Sequence, residues 1–151
     1  MAPDTIEREI TIDAPVERVW ELLTEAEHFG RWFADAGAEI DLRPGGEIVM
    51  RWHEHGAVHG RVERVEPRSV FAYRWAPFKA PGGTEPVAGN STLTEFTLAP
   101  EGDGTRLRVV ESGFQALDAT DEQRRQNLDG NTEGWEHELG ELRAYAERAA
   151  V

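Results

Sequence analysis

The stretch GTRLRVVESGF, residues 104–114, decides the architecture, because it is the last segment to alternate apolar and polar residues before the period changes. Period two marks a half-buried strand and points Leu107, Val109 and Glu111 to one face. A carboxylate thus occupies a register that otherwise carries apolar side chains. Such a group must be paired, hydrogen-bonded or protonated, because an isolated buried charge is too costly to desolvate.

Working back from this strand, period two holds from residue 37, with breaks at PGG (44–46), EHG (54–56), EPRS (66–69), PFKAPGGTEPVAG (77–89) and PEGDG (100–104). About six strands result, and their connections are mostly too short for a crossover helix, so they are expected as one antiparallel meander. Alternation turns Ile48, Met50 and Trp52, then Phe71, Tyr73 and Trp75, then Phe96 and Leu98 inward. At the N-terminus IEREITI (6–12) predicts one more strand, with Ile6, Ile10 and Ile12 inward. DAPVERVWELL (13–23) then reads as a short amphipathic helix with Pro15 in its first turn, and EAEHFGRWF as a second, interrupted by Gly30.

Working forward, the period becomes helical. Thr120 and Gln123 form a capping-box pattern, and Leu128, Trp135, Leu139, Leu142 and Ala146 keep one stripe to Ala149. Gly130, Gly134 and Gly140 interrupt it, each costing about 1 kcal/mol relative to Ala, so close approach to the sheet or local bends are expected there. One sheet face and one helix stripe must bury each other. The chain is therefore expected to be α+β, a curved antiparallel sheet of about seven strands with a long C-terminal helix across its concave face and two short helices at one end.

Composition bounds the rest. At 151 residues, residues 1–151 make a single domain able to bury about 70% of the surface its unfolded form exposes. A net charge of −13 repels phosphate, which argues against nucleic acid and anionic membrane as partners. The absence of cysteine excludes disulfides, thiol catalysis and cysteine-ligated metal. With no apolar run of about 20 residues and no signal-peptide core, a cytoplasmic location is expected.

Several stretches, IDAPVERVWELLT (12–24), RWF (31–33), LRPGGEIVMRW (42–52), HGRVERVEPRSVFAYRW (59–75), GTRLRVVESGF (104–114), and GW followed by ELGEL (134–142), resemble the START-like (SRPBCC) superfamily. Within it they are similar to the bacterial family homologous to the C-terminal domain of the heat-shock-protein ATPase activator. The resemblance implies a helix-grip (Bet v-like) fold whose sheet and long helix enclose an apolar cavity, often used to hold a hydrophobic small molecule. Members include lipid carriers, plant hormone-binding proteins, polyketide cyclases and chaperone activators, so the fold by itself does not give the activity.

The expected ligand set combines the inward residues Met50, Trp52, Tyr73, Trp75, Phe96 and Glu111 with Trp32, Trp135 and Leu139 from the helices and Phe78 from the 77–89 loop. Glu111 reads as a ligand-orienting group or general acid/base, or else as a wet residue at the sheet end or beyond a bulge near Gly113; Tyr73, Arg51 and Arg74 are its candidate neighbours, although alternation assigns the two arginines to the outer face. His53, His55 and His59 form the one weak metal-ligand pattern, and a hairpin tip explains them equally well. No cofactor is expected, and no serine carries a nucleophile-elbow motif. Three functions follow: hydrophobic ligand binding without catalysis, a cyclase- or hydratase-type enzyme using Glu111, and a protein-interaction module acting through the outer surface. The oligomeric state is open.

Overall fold

The computed structural model describes residues 4–53, 56–76 and 90–149. Seven strands run β1 (Thr5–Ile12), β2 (Ala38–Ile40), β3 (Glu47–Trp52), β4 (Gly56–Glu66), β5 (Val70–Trp75), β6 (Thr92–Glu101) and β7 (Gly104–Ser112). Helices α1 (Val16–Thr24) and α2 (Ala26–Trp32) separate the first two strands, and α3 (Asp121–Ala149) follows the last strand. The sheet order is β1-β7-β6-β5-β4-β3-β2, with every neighbouring pair antiparallel. The meander from β2 to β7 is therefore the expected one, and β1 closes it by pairing with the last strand. A register shift between Val62 and Arg64 interrupts the β4–β5 ladder, a device that adds local twist and curvature. This is the helix-grip architecture that the sequence predicted.

Local chemistry accounts for the boundaries. The capping box forms reciprocally: the Thr120 N–H donates to Gln123 Oε1 at 2.9 Å and the Gln123 N–H to Thr120 Oγ1 at 3.1 Å. Pro15 stands one residue before α1, as its N-cap. Gly30 belongs to α2 without ending it. A Cβ there would lie 2.8 Å from the Ala38 nitrogen, so the glycine lets α2 lie directly against the start of β2.

The glycines of α3 depart from expectation. A Cβ at Gly130, Gly134 or Gly140 would meet no atom within 4 Å outside the helix's own backbone, and α3 runs unbroken past all three. They lie on its exposed side and serve no close approach to the sheet.

The core fills the space between the sheet and the helices. Ile12, Leu22, Leu23, Phe29, Ile48, Met50, Phe71, Phe96, Leu107 and Leu142 are all at 0% exposure. Ile6 is buried with them, whereas Ile10 is half-buried. The helix also protects the free edge of β1: Arg143 Nε donates to the Thr11 carbonyl at 3.1 Å, and Glu147 Oε2 accepts from the Asp13 N–H at 3.1 Å. The opposite sheet face is solvated, with ion pairs such as Glu7–Arg108 and Glu63–Arg74. Among the described residues no helix is long and apolar enough to cross a membrane.

Candidate functional site

Glu111 faces fully inward, at 0% exposure. It pairs in register with Thr94 on β6 and Ile6 on β1, so no bulge turns it outward. Of its three candidate neighbours, Tyr73 stands on the same transverse rung of the sheet. Arg51 and Arg74 stay on the outer face, paired with Glu39 and Glu63. Instead Oε1 accepts from Trp135 Nε1 at 2.8 Å, and Oε2 from Thr92 Oγ1 at 2.6 Å and Trp75 Nε1 at 3.0 Å. Asn131 Nδ2 lies 3.1 and 3.0 Å from the two oxygens.

The spacing of these partners explains their convergence. Asn131 and Trp135 are four apart on α3 and share a face. Trp75 and Thr92 are cross-strand partners, and Thr92 lies two residues from Thr94, diagonal to Glu111 on the same face. Burial raises the Glu111 pKa, and hydrogen bonds from Thr92, Trp135, Asn131 and Trp75 act against that rise. Both indoles and the amide nitrogen can only donate, so this shell suits an ionised carboxylate. The carboxylate thereby ties α3 to three neighbouring strands.

One transverse rung holds more. Tyr73 pairs with Thr94, which pairs with Glu111, so three polar side chains stand side by side across β5, β6 and β7, each at 0% exposure. Tyr73 is ringed by Phe29, Phe71, Trp75 and Phe96, at centroid distances of 6.3, 5.6, 5.9 and 6.2 Å. Neither the Tyr73 hydroxyl nor Thr94 Oγ1 has a hydrogen-bond partner among the described residues. The two hydroxyls are close enough for Thr94 to act on the phenol. Even a bond between them would leave one O–H without an acceptor, since two hydroxyls carry two protons. Burial first, then the Glu111 charge, pushes the phenol's pKa well up, so it stays a neutral donor.

From α3, Glu138 approaches the same interior. Its Oε2 is buried without a partner. Burial, reinforced by Glu141 and Asp35, raises its pKa to about 8, and its charge in turn raises that of Tyr73.

The remaining expected residues separate. Phe96, Trp135 and Trp75 join the site: Trp135 meets Phe96 at 5.6 Å and Trp75 at 6.4 Å. Trp52 is half-buried beside Trp75 and donates to the Phe33 carbonyl at 3.1 Å. Met50 and Leu139 are buried in the surrounding core. Trp32 turns the other way, its indole donating to the Leu22 carbonyl of α1 at 2.6 Å. Phe78 and His55 fall outside the described residues. His53 is exposed, and His59 lies on the outer face beside Glu47. Among the described residues no three His, Asp or Glu groups are arranged to hold a metal.

Sequence reasoning missed Thr92, Thr94, Asn131, Glu138 and Phe33. The two threonines were within reach, because the Phe96 and Leu98 alternation continues backward through them. Phe33 is an aromatic hub of the interior, contacting Phe29, Trp32, Trp52, Trp75 and Trp135.

Comparison with known proteins places this arrangement. Protein MLL2253 from Mesorhizobium loti is similar over 97% of this chain and 99% of its own, with 24% identity and a TM-score of 0.78. CalU16 from Micromonospora echinospora shares 26% identity, with a TM-score of 0.67 over 93% of this chain and 73% of its own. DynU16, from the dynemicin biosynthetic locus, aligns with 99% of this chain over only 49% of its own length, at 21% identity and a TM-score of 0.76. A candidate polyketide cyclase from Streptomyces halstedii is 36% identical over 74 residues, 45% of this chain and 68% of that protein. The sequence pattern of one family extends over residues 13–147, from the end of β1 almost to the end of α3, and the chain therefore belongs to the activator of Hsp90 ATPase homolog 1-like proteins.

Proposed function

We propose that this protein binds a small, largely hydrophobic molecule between the sheet and α3, in the sector bounded by Phe33, Trp75, Phe96 and Trp135. The observation that carries the reading is the pair of fully buried hydroxyls, Tyr73 and Thr94, without hydrogen-bond partners among the described residues. Buried polar groups left unpaired are rare and costly, and an aromatic interior with a few convergent polar groups is the usual make-up of a small-molecule site. The partial similarity to a candidate polyketide cyclase supports the same reading.

The geometry favours binding over catalysis by Glu111. Its two oxygens already accept from four side chains, so taking a proton from a ligand requires one of those donors to leave. Native mass spectrometry of protein purified gently from a related host tests the reading, together with thermal-shift titration against apolar aromatic ligands. A stoichiometric adduct, or saturable stabilisation weakened by Phe33→Leu or Phe96→Leu, is the expected result. A clean apo mass with no stabilisation by any ligand would redirect attention to protein partners, in line with a family description that names an activator of the Hsp90 ATPase.

A further inference from the structure

The chemistry of the ligand can be narrowed from the polar groups that line the sector, an inference that rests on the binding reading above. On the sheet side, the groups without partners are hydroxyls: Tyr73 and Thr94, adjacent on β5 and β6 and enclosed by aromatic rings. The phenol is held neutral, so it offers a proton and little basicity. Next to them on the same rung stands Glu111, whose oxygens are already filled by Trp75, Thr92, Asn131 and Trp135. From the helix side comes Glu138, with one buried oxygen lacking a partner. Against these two carboxyl groups, no Arg, Lys or His among the described residues is buried. The arginines sit on the surface, paired as in Arg74–Glu63 and Arg108–Glu7.

We infer that the ligand is an uncharged molecule with an aromatic or polycyclic body and a carbonyl-type acceptor oxygen, bound by hydrogen bonds from the Tyr73 and Thr94 hydroxyls. A carbonyl oxygen has two lone pairs, the right number to take one proton from each hydroxyl. A ligand carboxylate or phosphate would enter a low-dielectric space beside Glu111 with no buried cation to compensate it, which is strongly unfavourable. A pure hydrocarbon would leave both hydroxyls as they stand in the free protein, unpaired and desolvated. The sector thus selects between ligands of one shape by the group they carry.

The test uses three matched series of one to three fused rings: acetophenone, 2-acetylnaphthalene and 2-acetylanthracene; their ethyl counterparts; and their carboxylates, titrated by calorimetry or fluorescence against the full chain at pH 8. The methyl ketone of whichever ring size fits is expected to bind about tenfold or more tightly than its ethyl counterpart, the worth of two net hydrogen bonds. The carboxylate is expected to be the weakest of the three. Tyr73→Phe and Thr94→Val should each erode the ketone preference, read as the ratio of ketone to ethyl affinity within each variant. Equal affinity for ketone and ethyl compound, tighter binding of the carboxylate, or a ketone preference that survives both substitutions would each overturn the inference while leaving interior binding intact. Failure of all nine probes to bind would overturn it together with the reading on which it rests. The comparison among wild-type affinities does not depend on the variants folding.

Discussion

Replacing Glu111 by Gln keeps the side chain's shape and removes its charge, which makes it the sharpest probe of the interior. In the wild type five donor contacts from Trp75, Thr92, Asn131 and Trp135 converge on the two oxygens. A glutamine keeps one oxygen, able to accept from two donors, and sets an NH2 group against the rest. Thr92 can rotate to accept from it, but an indole N–H and an amide NH2 cannot. One indole or amide donor, together with the second proton of the new NH2 group, is then left buried and unpaired, at roughly 1–3 kcal/mol each. Removing the charge recovers part of the desolvation cost that raises the Glu111 pKa. The expected net loss is about 2–4 kcal/mol, read from urea unfolding monitored by Trp fluorescence and far-UV dichroism. Trp135→Phe removes a single donor and should cost about 1–2 kcal/mol. Combined with Glu111→Gln it should cost clearly less than the sum, because the two share one contact. Additive losses, or a Glu111→Gln protein as stable as the wild type, would refute the assignment of Glu111 as the tie between α3 and the sheet.

Glu138 gives a pH-dependent prediction. Its folded-state pKa of about 8 lies above the model-compound value of 4.5, so the folded protein holds the proton more tightly than the unfolded chain. This contribution is fully present below pH 4.5 and is lost as pH rises to about 8. Glu138→Gln should therefore flatten the stability profile across that window and stabilise the protein at pH 9 by about 2–3 kcal/mol once partial solvent screening is allowed for; an unchanged profile would contradict the burial argument. Gly134→Ala, on the open side of α3, should stabilise by up to about 1 kcal/mol in thermal unfolding. Gly30→Ala should destabilise instead, since its Cβ would press on the backbone of Gly37 and Ala38, an overpacking cost of about 1–3 kcal/mol that exceeds the propensity gain. Thr120→Ala opens the capping box and should cost about 1 kcal/mol; no loss would mean the box contributes nothing to α3.

How much of this was legible in advance depended on the range of the interaction. Period two in 6–12 and 37–114, and the helical stripes in 13–33 and from Leu128 to Ala146, are local patterns, and they determined seven strands, three helices and the face each strand buries. They also singled out Glu111 as an inward carboxylate, because alternation is a property of a single strand. The Thr120–Gln123 box was readable for the same reason: its partners are three residues apart.

What surrounds Glu111 was decided only by tertiary structure. Its donors come from β5, β6 and α3, and which side chains meet across strands depends on register, which a one-residue slip would reverse. Alternation alone already turns Arg51 and Arg74 to the outer face, but that two indoles, a hydroxyl and an amide surround the carboxylate follows only from which strands and which face of α3 meet. The α3 glycines show the same division: their positions are plain in the sequence, but whether anything packs against them depends on how the helix is rotated over the sheet. The sequence by itself determined the periods, the elements and the inward carboxylate, whereas the rung of Tyr73, Thr94 and Glu111 exists only once three strands, distant in the chain, lie side by side in one register.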